Sequence, residues 1–284
     1  MFELIFLATA FIGSSLAALF DLKTTEIPDK IPHVMIAIAL ILYGVQSILS
    51  SSYWPILNSV IAGGSLLGFG FLMYYLGQWG GGDAKILASI GFLLPQLPQG
   101  FAKLFFPLPL SYLINVFLIG AFYMLIYAFV FALMNKKIIR NFFKDIKAYS
   151  KTLLISLIGL FILFFGINLY FFQYFDFSLT LVLSNSFLPL VLVILLFIVW
   201  RFAKTVEEVG FKRKIPISKL KVGDILAEYK KLEGITEKEL RRIKKSGTKT
   251  VRIKEGVRFA PTFPLALIFT LLFGDVIIWL IVAL

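Results

Sequence analysis

Asp21, Asp29, Asp83, Asp176 and Asp275 lie in or beside long apolar runs of this chain, and Glu26 sits between the first two. A carboxylate at membrane depth is costly without a partner or water, which makes each a functional candidate. Asp21 ends the first apolar run directly, in "FDLKTTEIPDKIP", and Asp83 begins the fourth, in "GQWGGGDAKILASIGF". Two carboxylates that share a site cannot both ionise comfortably, so such a pair holds one proton between them. A base that activates water and an acid for the leaving group are then present together. That chemistry can hydrolyse a peptide bond without Ser, Cys, His or metal. The alternative is two interfacial ion pairs, Asp21 with Lys23 and Asp83 with Lys85.

The rest of the composition narrows the chemistry. The chain has no Cys and a single histidine, His33, which excludes disulfides, thiolate zinc sites, cysteine nucleophiles and multi-His metal centres. His33 reads as an interfacial residue near the start of the second span. Gly80, Gly81 and Gly82 before Asp83 permit torsions and close approaches that side chains forbid, so an extended substrate could lie against them. Glycine runs also occur in plain turns.

These groups must be positioned by membrane helices. Of 284 residues, 59% are hydrophobic and 31 are Phe, more apolar surface than a soluble domain can bury. The fold class is an all-α polytopic membrane protein with about eight transmembrane helices, roughly 2–20, 31–49, 56–76, 84–97, 110–134, 153–172, 179–200 and 263–282. The first run lacks the basic region and cleavage site of a secretory signal and reads as a retained span. The fourth is short and ends at Pro95 and Pro98. Pro28 and Pro32 separate spans one and two and start the second.

Charge supports the alternation. With eight spans, 27 of the 28 Lys and Arg residues fall on one side and only Lys103 on the other. Basic residues favour the cytoplasmic face, so both termini are expected outside, and Asp21 and Asp83 together at the cytoplasmic ends of their helices. The division is a membrane domain over 1–200, a basic cytoplasmic module over 201–258 and a last helix over 259–284. The module carries 18 basic and 8 acidic residues. Within it, "GITEKELRRIKKSG" predicts a short helix with a Thr236/Glu239 capping box and a stop at Gly247. The alternating "KIPISKLKVGDILAEY" and "KTVRIKEGVRF" predict strands, with Asp224 in a turn. The result is a small α+β module inserted before the last helix. Its charge comes without aromatic stacking or a recognition motif, so anionic lipid headgroups, not nucleic acid, are the expected partner.

Three stretches, in order, resemble one family. Gly80-Gly81-Gly82-Asp83 fits the Gly-x-Gly-Asp signature of intramembrane aspartyl proteases, and "GGGDAKILASIGFLLP" looks like the form found in type IV prepilin and archaeal preflagellin peptidases. "DLKTTEIPDKI" resembles the segment that carries the family's first catalytic aspartate. "EGVRFAPTFPLALIF" resembles its strand-to-last-span element. The resemblance implies an aspartic endopeptidase that removes short basic leaders from pilin-like or archaellin precursors at the cytoplasmic membrane face. Asp21 and Asp83 would be the catalytic pair, Gly80 to Gly82 the loop presenting Asp83, and Glu26 with Asp29 an acidic spot for the leader. Presenilin-like proteins share the glycine-aspartate signature, but here Phe20 precedes Asp21 and Pro264-Leu265-Ala266-Leu267 stands nearest their Pro-Ala-Leu motif. The four-cysteine zinc element of many bacterial members is absent, so no metal, no cofactor and no methyl transfer are expected. A cation or proton transporter using the same carboxylates is the competing class; it would favour midplane carboxylates and an internal repeat. Asp176 reads as a solvated outer-loop residue, and Asp275 has no assigned role.

Overall fold

A computed structural model describes residues 2–98, 100–172, 178–229, 234–246, 249–254, 256–276, 278 and 281. Asp176, Gly247 and the expected end of the last span at 282 lie outside these residues. The chain forms two compact units, Met1–Ile126 with Arg213–Leu284, and Tyr127–Lys212.

The first unit holds α1 (Phe2–Thr24), α2 (Lys30–Leu49), α3 (Trp54–Tyr75), α4 (Gly81–Leu93) and most of α5 (Leu108–Met134). The membrane helix α1 stops where Thr25 adopts a left-handed φ of 60° and gives its N–H to the Asp21 carbonyl at 2.9 Å. That is an uncommon conformation for a β-branched residue. Pro32 falls in the first turn of α2, where its missing N–H costs nothing.

Short α4 is the centre of this unit. Ala84, Ile86, Leu87, Ala88, Ile90, Gly91 and Leu93 are buried, so apolar side chains meet protein on all sides. Glycines let α3 come close: a Cβ on Gly70 would stand 2.8 Å from the Ala84 Cα, and one on Gly63 2.2 Å from the Phe92 ring. With 13 residues, α4 is about 20 Å long, less than a hydrocarbon core. Its last carbonyls therefore need partners inside the protein. Tyr43 donates its hydroxyl to the Leu93 carbonyl at 3.0 Å, and Ser59 to that of Phe92 at 2.6 Å.

The last apolar run is built by the same logic. Helix α9 (Thr262–Phe273) has 12 residues and stops at Gly274, whose φ is 65°. Asn115 Nδ2 donates to the Gly274 carbonyl and to Thr270 Oγ1, each at 3.0 Å. Asp275 then accepts the Phe105 and Phe106 N–H groups at 2.5 and 3.1 Å. This supplies the role that sequence left unassigned: Asp275 anchors the chain between α4 and α5. Six helices among the described residues are long and apolar enough to cross a membrane, α1, α2, α3, α5 and the two below. The expected fourth span is present as the 13-residue α4, and the described part of the expected eighth opens with the 12-residue α9.

Also in this unit is a small sheet of β1 (Lys212–Pro216), β2 (Ile225–Leu226) and β3 (Thr250–Lys254) in the order β1-β3-β2. Ile225 pairs with Lys254 and Leu226 with Ile253, antiparallel. A 3-10 turn over Ile217–Lys219 and a second turn at Gly223, φ 93°, split the expected first strand in two. Helix α8 (Glu237–Lys245) begins with the expected capping box: Thr236 Oγ1 accepts from the Glu239 N–H at 3.3 Å, and Glu239 Oε2 from the Thr236 N–H at 2.8 Å.

The second unit is a helical hairpin. Helix α6 runs without a break from Lys136 to Phe172, and α7 from Leu179 to Thr205 before a π-helical turn, Val206–Phe211. The expected loop over 135–152 is thus the amphipathic first half of α6, and helix continues past the expected module boundary at 200. Polarity there marks a change of surroundings, not a break in the helix. Arg201 grips Asp145 through Nε, at 2.6 Å, and Nη2, with its guanidinium 4.2 Å from the Tyr149 ring centre.

Candidate active site

Asp21 lies in the last turns of α1 and is only 5% exposed. Its Oδ2 accepts the Ala260 N–H at 2.9 Å, so the approach to α9 is tied to the end of α1. Asp83 stands in the first turn of α4, partly exposed, and its Oδ2 accepts the Gly80 N–H at 3.0 Å. That bond satisfies one of the free donors at the helix start. The two carboxyls come from helices joined by about 60 residues of chain, yet Asp83 lies within electrostatic reach of Asp21.

The ion-pair alternative does not hold for Asp83. Lys85 gives its ammonium to Asp29 Oδ1 at 2.6 Å, tying α4 to the start of α2. Among the described residues, Asp21 makes no ion pair with Lys23, which is exposed. Asp29 keeps a 63% exposed side chain but is already engaged by Lys85. Glu26 is exposed and makes no ion pair among the described residues; its backbone carbonyl accepts the Thr24 hydroxyl at 3.0 Å.

The three glycines serve different ends. A Cβ on Gly82 would lie 2.9 Å from the Ile27 Cβ, so Ile27 from the α1–α2 connection fills that space. A Cβ on Gly80 would meet Asp83 Oδ2 at 3.2 Å, while Gly81 has only the Tyr74 ring, at 3.8 Å. None of the three has a positive φ; the left-handed turn in this loop is Gly77, at 72°. Close approach, not unusual torsion, explains Gly82, whereas Gly81 has room for a side chain.

Two neighbours escaped the sequence reading. Trp79, buried just before the glycines, packs its ring on Phe69 of α3, Phe117 of α5, and Phe259 and Phe263 at the start of α9, with centres 5.7 to 6.1 Å apart. The loop that carries Asp83 and the segment that holds Asp21 therefore share one aromatic cluster. Arg258, two residues before Ala260, is within electrostatic reach of Asp21, and its Nε is buried without a hydrogen-bond partner among the described residues. Such a group is costly to leave unpaired. A tryptophan beside a glycine run was a visible signal; nothing local marks Arg258. Among the described residues no group of three or more His, Asp or Glu is placed to hold a metal ion.

A polytopic helical membrane protein with carboxylates at the end of α1 and the start of α4, within electrostatic reach of each other, defines the class. Residues 8–129, which include both aspartates, match the model of the Type IV leader peptidase family. The chain is 23% identical over 167 residues to a prepilin peptidase, EppA, of Methanothermobacter thermautotrophicus, a match covering 55% of this chain and 43% of the relative. It is 34% identical over 85 residues to the preflagellin peptidase of Methanocaldococcus jannaschii (30% of this chain, 36% of the relative). Against the preflagellin peptidase of Methanococcus voltae it is 35% identical over 91 residues (31% and 38%). The chain spans less than half the length of each of these relatives.

Proposed function

We propose that this protein is a membrane-embedded aspartic endopeptidase that removes the leader peptide from prepilin-like or prearchaellin-like precursors. The observation that carries this reading is the approach of Asp21 and Asp83 from two helices within the family-matched stretch, with Lys85 drawn off to Asp29. One carboxylate takes a proton from a water held between the two as the water oxygen attacks the scissile carbonyl carbon. The other, protonated, carboxyl gives its proton to the carbonyl oxygen. The tetrahedral diol then collapses: one hydroxyl returns its proton to the ionised carboxylate as the carbonyl re-forms, the C–N bond breaks, and the protonated carboxyl gives its proton to the leaving nitrogen. Gly80 and Gly81 leave room for a substrate backbone beside Asp83. Arg258 is read as a positioning residue that holds the Asp21 carboxylate, and Trp79 as the packing that fixes the distance between the two loops.

The basic loops favour the cytoplasmic side for the site and the 213–258 module, with both termini outside. Asp29 and Glu26 would face the cationic leader, Asp29 once it releases Lys85. Anionic lipid headgroups, not nucleic acid, are the other partner expected from the charge. The short α4 and α9 are the feature a cation-transport reading would use. Their carboxylates, however, sit at helix ends, and Asp275 is committed to two backbone amides.

The test is to incubate the purified protein in membranes with prepilin and prearchaellin precursors and sequence the products. A new N-terminus immediately after the basic leader is expected; precursors that stay intact under conditions where an authentic leader peptidase cuts them overturn the proposal.

A further inference from the structure

Lys136, Lys137, Arg140, Lys144, Lys147 and Lys151 all lie in the first half of α6, and all six are exposed. At about 100° per residue they fall within an arc of roughly 100° along roughly 22 Å of helix. The opposite side is the packed one: Ile138 is buried, Phe142 meets Phe202 edge to face at 5.5 Å, and Asp145 and Tyr149 engage Arg201. Asp145 is the one acidic residue in this half-helix, and Arg201 engages it. Among the described residues none of the six cations makes an ion pair.

Surroundings indicate what covers this stripe. Exposed apolar side chains border it on both sides in sequence, Leu133 and Met134 closing α5 and Leu154 and Ile155 opening the apolar half of α6. Phe143, also exposed, stands beside it on the same half-helix. The stripe thus lies where lipid-facing surface ends, the level of headgroups. Clusters of four to eight basic residues next to a span attract anionic lipid, each worth ~1 kcal/mol near the surface.

We infer that the basic face of α6, from Lys136 to Lys151, is a binding site for anionic phospholipid headgroups. It shares no residue with the Asp21–Asp83 site and does not depend on the peptidase reading. The six cations share several phosphates along the helix, and Phe143 enters the adjoining acyl region.

The full-length protein is compared in vesicles of phosphatidylcholine alone and of equal parts phosphatidylcholine and phosphatidylglycerol, and retained lipid is counted by native mass spectrometry. Wild type should keep phosphatidylglycerol selectively. Replacing Lys137, Arg140, Lys144 and Lys147 together by Gln should weaken that retention at least ~10-fold, while changing Lys137, Lys144 and Lys147 to Arg should preserve it. Removing as many charges from α8, with Lys238, Arg242, Lys244 and Lys245 changed to Gln, should cost clearly less retention than the stripe variant does. Equal losses in the stripe and α8 variants would mean a diffuse net-charge effect and overturn the site. Unchanged retention in the stripe variant overturns it as well. So does a stripe that binds soluble polyglutamate but shows no preference for phosphatidylglycerol, which would mark it as a surface for an acidic protein.

Discussion

Ala260 donates its backbone N–H to the carboxylate of Asp21 at 2.9 Å, joining residues 239 positions apart in the chain. The end of α1 and the start of α9 are thereby one structure, and Arg258 and the Trp79 cluster are attached to it. Asp83 needs only its own loop, through Gly80. The two aspartates are held by different devices, and their roles can be perturbed separately.

Arg258→Gln removes the cation beside Asp21. Under the peptidase reading kcat should fall ~10-fold or more with little change in KM, because the guanidinium acts on the carboxylate and not on bound substrate. Arg258→Lys should recover part of the loss. Equal loss in both variants, tracking a drop in folded protein, would mean a purely structural role.

Gly82→Ala places a methyl group against Ile27 and should cost about 1–3 kcal/mol by overpacking. Ile27→Ala in the same chain should restore much of that stability. Gly81→Ala has room and should leave the thermal midpoint near wild type. If Gly81→Ala then loses cleavage at normal stability, its backbone lies against substrate.

Asp275→Ala strips two amides of their acceptor, and leaving buried donors unpaired costs about 1–3 kcal/mol. Thermal unfolding should shift down while activity per folded molecule is kept. Lost activity at unchanged stability would give Asp275 a chemical role instead.

Lys85, by its hydrogen bond, holds the Asp29 carboxyl below its ordinary range. A carboxyl depressed in the folded state contributes stability above its unfolded pKa and loses it as pH falls through the folded value. The stability gap between wild type and Asp29→Asn should therefore be level from about pH 5 to 8 and close in acid below about pH 4. An exposed pair should make that gap less than ~1 kcal/mol. Heat-unfolding midpoints across this range check both points.

Asp21 and Asp83 were legible because each sits at the edge of an apolar run, where a carboxylate is conspicuous, and because Gly80 to Gly82 form a local motif. The apolar runs also marked the helices. Their lengths in the structure were not legible: whether a run crosses fully depends on partners such as Tyr43, Ser59 and Asn115, which sequence does not bring together. The first half of α6 was misread as a loop because hydropathy falls there, although its charges keep helical spacing. Arg258, Ala260 and the partners of Asp275 are contacts across more than 160 residues, and no local pattern encodes them.

The central claim is that Asp21 and Asp83 act as one hydrolytic pair. The most direct measurement is the rate of leader removal by Asp21→Asn, Asp83→Asn and the double variant, each shown to be folded. The expected result is that each single change abolishes cleavage and that the double variant is no worse than either, as for groups acting as a unit. Substantial cleavage by either single variant would contradict it.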